Sequence, residues 1–345
     1  MTARPTLPRT SREVRLAAGP EGLPRPEHFH VVESPLPRPG EGEVLVRNRY
    51  FQVFPALRTL VGGGVEGAPF PGVAPGDTLF GPAVGEVVAR PGSAGPPLGA
   101  QVSHFLGWRE YAVVPAAECT LLGDGELPDP AAHLSQGSLA YTALTRVAEL
   151  RAGETVFVSG GAGGIGSMAG QIARLLGAGR VIGSTGSPAK AERMTGSLGY
   201  DAVVLRGSEG SLSARLAEAA PEGIDVFVDM VGGEQLRAAV GAARPGARFV
   251  LVGTLAGQLS DKGGGVTAPV EIDTFQLVVK RITMRGITGL DHPEAHGEWT
   301  RKFGEWLRSG DITFPHVRIR GMHNAPGALH DLMAGRHLGT VVVEL

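Results

Sequence analysis

The sequence predicts an α/β protein of two modules, a β-rich one and a doubly wound parallel sheet, and three observations carry that prediction. Short apolar runs broken by Pro and Gly fill the stretch from Glu13 to about Leu122. From residue 155 onward, such runs alternate regularly with segments whose apolar residues recur at helical spacing. A glycine-rich turn, Gly160 to Gly166, joins the first of those later strands to the first of those helices.

In the first stretch, VRLAA, HFHVVE, GEVLVRNRYF, PAVGEVVARPG and WREYAVVPA each read as a strand bounded by turn formers. That is the pattern of an all-β, barrel-like module. After LPDPAA the texture changes, and HLSQGSLAYTALTRVAEL reads as one or two helices ending at Ala152-Gly153. Then TVFVSG, RVIGST, DAVVL, DVFVDM and RFVLVGT read as strands, with SMAGQIARLLG, PAKAERMTGSLG, SLSARLAEAA and EQLRAAVGAA as the helices between them. Strands separated by crossover helices pair in parallel, which predicts the doubly wound sheet. A glycine-rich loop precedes ITMRGI, the expected last strand, and EWTRKFGEWLRSG reads as an amphipathic helix. The closing VRIRG, APGALHDLMAG and TVVVEL are too short to fold alone and are expected to complete the first module. The expected division is therefore 1–125 with 290–345 for the β-rich module and 126–289 for the parallel sheet.

Composition narrows the function classes. A chain of 345 residues suits about two domains, and 42% hydrophobic against 19% charged residues, with a mean hydropathy of +0.06, supplies a core. The 53 glycines follow no Gly-X-Y period. A net charge of −2 with scattered basic residues argues against a nucleic-acid surface. The one cysteine, Cys119, can form neither an internal disulfide nor a Cys-rich zinc cage, and the ten histidines show no H-E-x-x-H spacing, so no metal is expected. No apolar run is long enough to span a membrane, and in segment 1–12 Pro5 and Pro8 break the helix a transit peptide would need. A cytoplasmic location is expected.

The chemistry is carried by Gly160-Gly161-Ala162-Gly163-Gly164-Ile165-Gly166. Glycines there let the backbone turn and approach a pyrophosphate, while the following helix N-terminus offers free N–H groups. With a strand before it, a helix behind it and further strand–helix units after it, this is the setting of a Rossmann dinucleotide site. The acid that binds ribose hydroxyls in NAD sites is replaced by Ser184-Thr185-Gly186-Ser187. Ser187 and Lys190 on that turn suit a 2'-phosphate, so NADP(H) is the expected cofactor. Only four lysines occur in the chain, which makes a lysine at this turn less expected by chance.

Taken together, VSGGAGGIGSMAGQIARLLG, GSPAK, GIDVFVDMVGGEQL, RFVLVG and KRITMRG resemble the zinc-free medium-chain reductases, and most of all the prostaglandin reductase and alkenal double-bond reductase group. The stretch from Asn48 to Arg58, NRYFQVFPALR, is similar to that group's N-x-Y-x-S-V-D-P-Y-M-R. The resemblance covers nearly the whole chain. It implies a GroES-like β-rich catalytic domain beside the Rossmann domain, and hydride transfer from NADPH to the β carbon of an α,β-unsaturated ketone or aldehyde, followed by protonation of the enolate. It further implies that Gly160, Gly163, Gly164, Ile165 and Gly166 hold the pyrophosphate and that Ser187 and Lys190 hold the 2'-phosphate. Arg206, in place of a tyrosine, would lie beside the adenine phosphate, and Val231, Gly232 and Gly253 would line the strand ends. Asn48 and His337 are implied as further cofactor contacts, His337 standing where the group's G-x-N-x-G-K has Asn. Zinc-free members are commonly dimers, and the apolar strand ITMRGI offers an edge for one.

Departures from the group bear on the substrate. Ala56 and Gln258 stand where it has tyrosines, Phe54 where it has an aspartate, and Leu139 where it has a threonine. Two phenolic donors are thus missing, and Gln258 can donate an N–H but cannot give up a proton. Gln258, Tyr50 and Arg58 are the expected catalytic side chains. Tyr50 and Tyr141 also suit a core wall, Asn48 and Arg58 a tie within the framework, and His292 a solvent-facing loop. Trp299, Phe303 and Trp306 read as core. The altered pocket leaves open a reductase of C=O or C=N, and a protein that binds NADPH without redox turnover. Loops 62–76 and 256–270, with Gly62-Gly63-Gly64 and Gly263-Gly264-Gly265 as hinges, are expected to close over the cofactor.

Overall fold

A computed structural model describes residues 7–67, 70–93, 95–123, 125–260 and 265–345. Strands β1 (Thr10–Leu16), β2 (Phe29–Pro35) and β3 (Glu43–Val53) lead into a short helix α1 (Leu57–Val61), and β4 (Ala83–Ala89), β5 (Gln101–His104), β6 (Tyr111–Pro115) and β7 (Thr120–Leu121) follow. Next come α2 (Gly137–Thr142), β8 (Thr155–Val158), α3 (Gly166–Leu175), β9 (Arg180–Thr185), α4 (Pro188–Ser197), β10 (Ala202–Leu205), α5 (Leu212–Ala219) and β11 (Ile224–Asp229). The series continues with α6 (Gly233–Ala242), β12 (Ala243–Leu251), α7 (Leu255–Gln258), α8 (Thr274–Lys280) and β13 (Thr283–Gly286). It ends with α9 (Glu294–Ser309), β14 (His316–Arg320), α10 (Ala325–Met333) and β15 (Thr340–Glu344).

These elements form two compact units, one of Met1–Leu134, Arg318–Ala334 and Val341–Leu345, the other of Ser135–Val317 and Gly335–Thr340. Arg318–Ala334 and Val341–Leu345, from the chain's end, fall in the β-rich unit. Residues 290–317 cluster instead with the second unit, and packing explains it: Trp299 of α9 lies so close over Gly137 of α2 that a Cβ there would come within 2.3 Å of the indole. Trp299 stacks on Phe303 at 4.6 Å, so the expected core role of both is met by burial against α2.

The first unit is built on a seven-stranded sheet, β14-β15-β3-β4-β5-β7 with β6 also on β3, and a β1–β2 hairpin. Val44, Val46, Val87, Val102, Ala112 and Val114 form one of its cores. In the second unit six strands run β10-β9-β8-β11-β12-β13, every pairing parallel. Chain order reverses between β8 and β11, and a crevice at the carboxyl ends of strands belongs at that switch point. Phe157, Phe227 and Phe249 pack one after another across the three central strands, at 5.0 and 5.2 Å. Among the described residues no helix is long and apolar enough to cross a membrane.

Candidate functional site

The glycine turn follows β8 directly. Gly160 has φ +60°, a left-handed conformation in which a side chain is strained, and its carbonyl accepts from Gly163 N–H at 2.9 Å. A Cβ on Gly166 would lie 2.4 Å from Gly160 O, so only glycine lets α3 start this close to the turn. The helical bonds begin with Ser167 N–H to Gly163 O. The amides of Gly164, Ile165 and Gly166 precede it, which are the donors a helix start offers an anion. Gly163 is exposed at the crest of the turn. The backbone thus fits a pyrophosphate.

Buried polar groups that sequence reading missed hold this turn in place. Ser184, in the middle of β9, binds it from below: its hydroxyl accepts from Gly160 N–H at 3.0 Å and donates to Gln235, while its carbonyl accepts from Gly161 N–H at 2.9 Å. Tyr200 donates its hydroxyl to Gly166 O at 2.6 Å. On the next strand, Asp229 Oδ1 accepts from Ser159 Oγ at 2.6 Å and from the Val231 and Gly232 amides at 2.9 Å each. Burial raises the Asp229 carboxyl above its ordinary range, and the donors from Gly232, Ser159 and Val231 pull it back. The one available signal was a polar residue inside an apolar strand, which must find a partner.

Val231, Gly232 and Gly253 lie where expected, at the ends of β11 and β12. The Val231 side chain sits 3.2 Å from where a Gly160 Cβ would be, and Gly253 N–H donates to Asp229 O at 3.1 Å. Gln258 closes α7, whose start is tied to the same ends by Leu255 N–H to Met230 O and Ala256 N–H to Val231 O. At the end of β9, Ser187 caps α4 by accepting from Lys190 N–H at 3.4 Å. The Arg206 guanidinium reaches back beside Gly186, 3.5 Å from where a Cβ would be. Lys190 Nζ donates to Gly335 O at 2.6 Å and to His337 O at 2.5 Å, bringing the 335–339 segment to this corner. Burial, and then the Arg206 charge, lower the Lys190 pKa. No acid lies on the Ser184–Ser187 turn, and two cations share the corner, so a 2'-phosphate fits it.

In the first unit Asn48, Tyr50 and Arg58 have the following surroundings. The Asn48 side chain serves the framework: Nδ2 donates to Leu106 O at 3.1 Å and Arg109 O at 2.9 Å, and Oδ1 pairs with His104 Nε2 at 2.8 Å. Tyr50 is a buried strand residue with the Arg49 and Arg318 guanidinium groups 5.8 and 5.3 Å from its ring centre. Arg58, on α1, is only 1% exposed, so its guanidinium is part of the interior. Near it Phe54, Phe70, Phe80 and Phe105 form a partly exposed cluster with Phe70 and Phe105 stacked at 4.4 Å.

Other side chains singled out above have structural surroundings. Tyr141 donates to Glu298 at 2.5 Å, and burial followed by that bond pushes its phenol up to about 12. His292 Nδ1 pairs with Glu294 at 3.0 Å. Burial, then Glu118, pushes the Cys119 thiol up to about 11. The 62–76 loop is cinched at its base, where a Cβ on Gly72 would lie 2.3 Å from Gly63 O, which does not suit a free hinge. Of the second expected hinge, Gly263 and Gly264 lie outside the described residues.

Comparison with known proteins gives concordant matches. Residues 164–306 match the family described as zinc-binding dehydrogenase, and residues 12–122 the one described as N-terminal domain of oxidoreductase. Among the described residues no group of three His, Cys, Asp or Glu is placed to hold a metal ion. The chain is 29% identical over 343 residues to an NADPH-dependent curcumin reductase of Escherichia coli (strain K12), covering 96% of this chain and 95% of that one. It is 29% identical over 312 residues to the 2-alkenal reductase (NADP(+)-dependent) of Nicotiana tabacum, covering 88% of each. Its structure resembles that of CurA in complex with NADPH from Vibrio vulnificus, with a TM-score of 0.86 at 29% identity over 96% of this chain and 98% of that one.

Proposed function

The chain belongs to the medium-chain dehydrogenase/reductase superfamily, in its zinc-independent group, and from that premise we propose that it is an NADPH-dependent reductase of the C=C bond of α,β-unsaturated carbonyl compounds. The observation that carries the cofactor is the glycine turn at the strand-order reversal, with Lys190 and Arg206 at the corner where an NAD site would place an acid. The class of reaction is supported by relatives named as curcumin, alkenal and prostaglandin reductases.

NADPH, when bound, supplies the hydride. The chain's own residues bind and orient: the Gly160–Gly166 turn and the amides opening α3 take the pyrophosphate, and the corner formed by Ser187, Lys190 and Arg206 takes the 2'-phosphate. Val231, Gly232 and Gly253 line the passage of the nicotinamide ribose, with His337 beside the phosphate corner. Gln258 places an amide N–H for the carbonyl oxygen, where negative charge develops as hydride arrives. Because that amide holds no transferable proton, the proton for the enolate would have to come from another source than Gln258. Tyr50, Arg58 and Asn48 act by holding the β-rich unit in shape.

The protein is further proposed to be a cytoplasmic homodimer. Phe275, Val278 and Val279 on α8 are 70%, 74% and 53% exposed, next to the free edge of β13. Exposed apolar side chains beside an unpaired strand edge suit a second copy of the sheet.

The reading is tested by following NADPH oxidation with matched panels of enones, saturated ketones and cyclic imines, using NADH as control. Turnover of enones alone is expected, with a KM far lower for NADPH than for NADH. Turnover of ketones or imines alone moves the reaction to C=O or C=N, and tight NADPH binding without turnover by any panel leaves a binding protein.

A further inference from the structure

Residues 335–340 are distant in sequence from the glycine turn and yet fastened to it. Gly339 N–H donates to Ala162 O at 2.9 Å, within a parallel bridge between Gly163 and Gly339. Thr340 N–H donates to Pro315 O at 2.9 Å, and a Cβ on Gly339 would lie 2.0 Å from that same carbonyl, so the segment is pressed in place at this end. At the other end the Lys190 ammonium grips the carbonyls of Gly335 and His337 at 2.6 and 2.5 Å. The segment is a strap with one end on the pyrophosphate turn and the other on the phosphate corner.

An ammonium has three N–H donors, and two of these are engaged with the strap. Arg206 presents an exposed, planar fork at the same corner, the geometry that suits a phosphate. We propose that Lys190 is a positioning residue that holds the 335–339 strap against the glycine turn for either dinucleotide, while Arg206 carries the discrimination in favour of a 2'-phosphate. This inference rests on the cofactor reading above and goes beyond it by separating two roles that a cationic corner would otherwise share. Loss of Lys190 frees two carbonyls and the outer end of the strap. Through Gly339 the disturbance reaches Ala162, inside the turn that takes the pyrophosphate, which NADPH and NADH have in common.

The test uses the full chain and three variants, Lys190→Ala, Lys190→Arg and Arg206→Ala. Amide hydrogen exchange over residues 335–340 is measured without cofactor, and KM is measured for NADPH and for NADH. In Lys190→Ala the segment is expected to exchange about tenfold faster, the loss of roughly one charge-assisted hydrogen bond's worth of protection. KM is expected to rise severalfold for both cofactors, with Lys190→Arg restoring much of the protection. Arg206→Ala is expected to raise KM for NADPH while leaving the exchange of 335–340 as it was. Unchanged exchange in Lys190→Ala overturns the proposal, as does a KM increase confined to NADPH, which would make Lys190 a phosphate ligand only. Because exchange is read on the cofactor-free protein, a failure of the reductase reading shows as absent turnover and leaves that arm decisive.

Discussion

Lowering the pH from 7 to 5 should destabilise the β-rich unit through one buried histidine. His104 Nδ1 accepts from Leu106 N–H at 3.0 Å, so its proton sits on Nε2 and is donated to Asn48 Oδ1 at 2.8 Å. Burial, and next the Arg109 charge, lower its pKa from 6.5 to about 4. The native ring therefore stays neutral in a range where the unfolded chain takes up a proton. A depressed histidine contributes stability that is fully present above pH 6.5 and is lost as pH falls toward the folded value. Every tenfold difference in proton affinity between the unfolded and the folded chain corresponds to about 1.4 kcal/mol, so the loss approaches about 3 kcal/mol near pH 4 and is about 2 kcal/mol between pH 7 and 5. Urea unfolding at the two pH values measures it, with His104→Gln as reference, since glutamine keeps a donor and an acceptor but does not titrate. The wild type should lose about 2 kcal/mol more than the variant over this interval. Parallel losses in the two proteins would refute the reasoning, because His104 would then not be the group that couples protonation to unfolding.

The cofactor-side geometry and the exposed sheet edge lead to three further expected outcomes. Gly166→Ala places a methyl 2.4 Å from Gly160 O and should abolish measurable NADPH binding in a titration, whereas Gly196→Ala, which meets nothing within 4 Å, should leave it intact. Tyr200→Phe removes the donor to Gly166 O, and should cost about 1 kcal/mol of stability by thermal or urea unfolding. It should also raise KM for NADPH and NADH by the same factor, since it acts on the turn common to both; a change in their ratio would contradict that assignment. Val278→Arg introduces a charge on the exposed face of α8; light scattering should find the wild type as the proposed dimer and the variant as a monomer.

Periodicity and turn chemistry made most of the fold legible in the sequence. Runs such as TVFV and DVFVD are built on a Val-Phe-Val stretch that is apolar on both faces, as suits strands covered on both sides, and the helices between them imply parallel pairing. The short elements β5, β7, α1 and α7 were not legible, because two to five residues carry too little pattern to outvote neighbouring Gly and Pro. The helix α8 was missed for another reason: its apolar residues lie on the exposed side, so burial periodicity does not describe it.

The cofactor site divides in the same way. Its glycines, Ser187, Lys190 and Arg206 are local chemistry, set by backbone conformation and charge within short segments, and a sequence states such features directly. What the tertiary structure alone decided is which polar groups meet. Folding places His104 and the Leu106 and Arg109 carbonyls around the Asn48 amide, partners that no local pattern announces. For Asp229, Ser184 and Tyr200 the sequence marks at most a polar residue that needs a partner, and the partners Ser159, Gly160 and Gly166 lie tens of residues away. The grip of Lys190 on the 335–337 carbonyls spans 145 residues or more of chain, and no spacing rule reaches that far. A hydrogen bond depends on distances of a few tenths of an ångström, which only the packed chain determines.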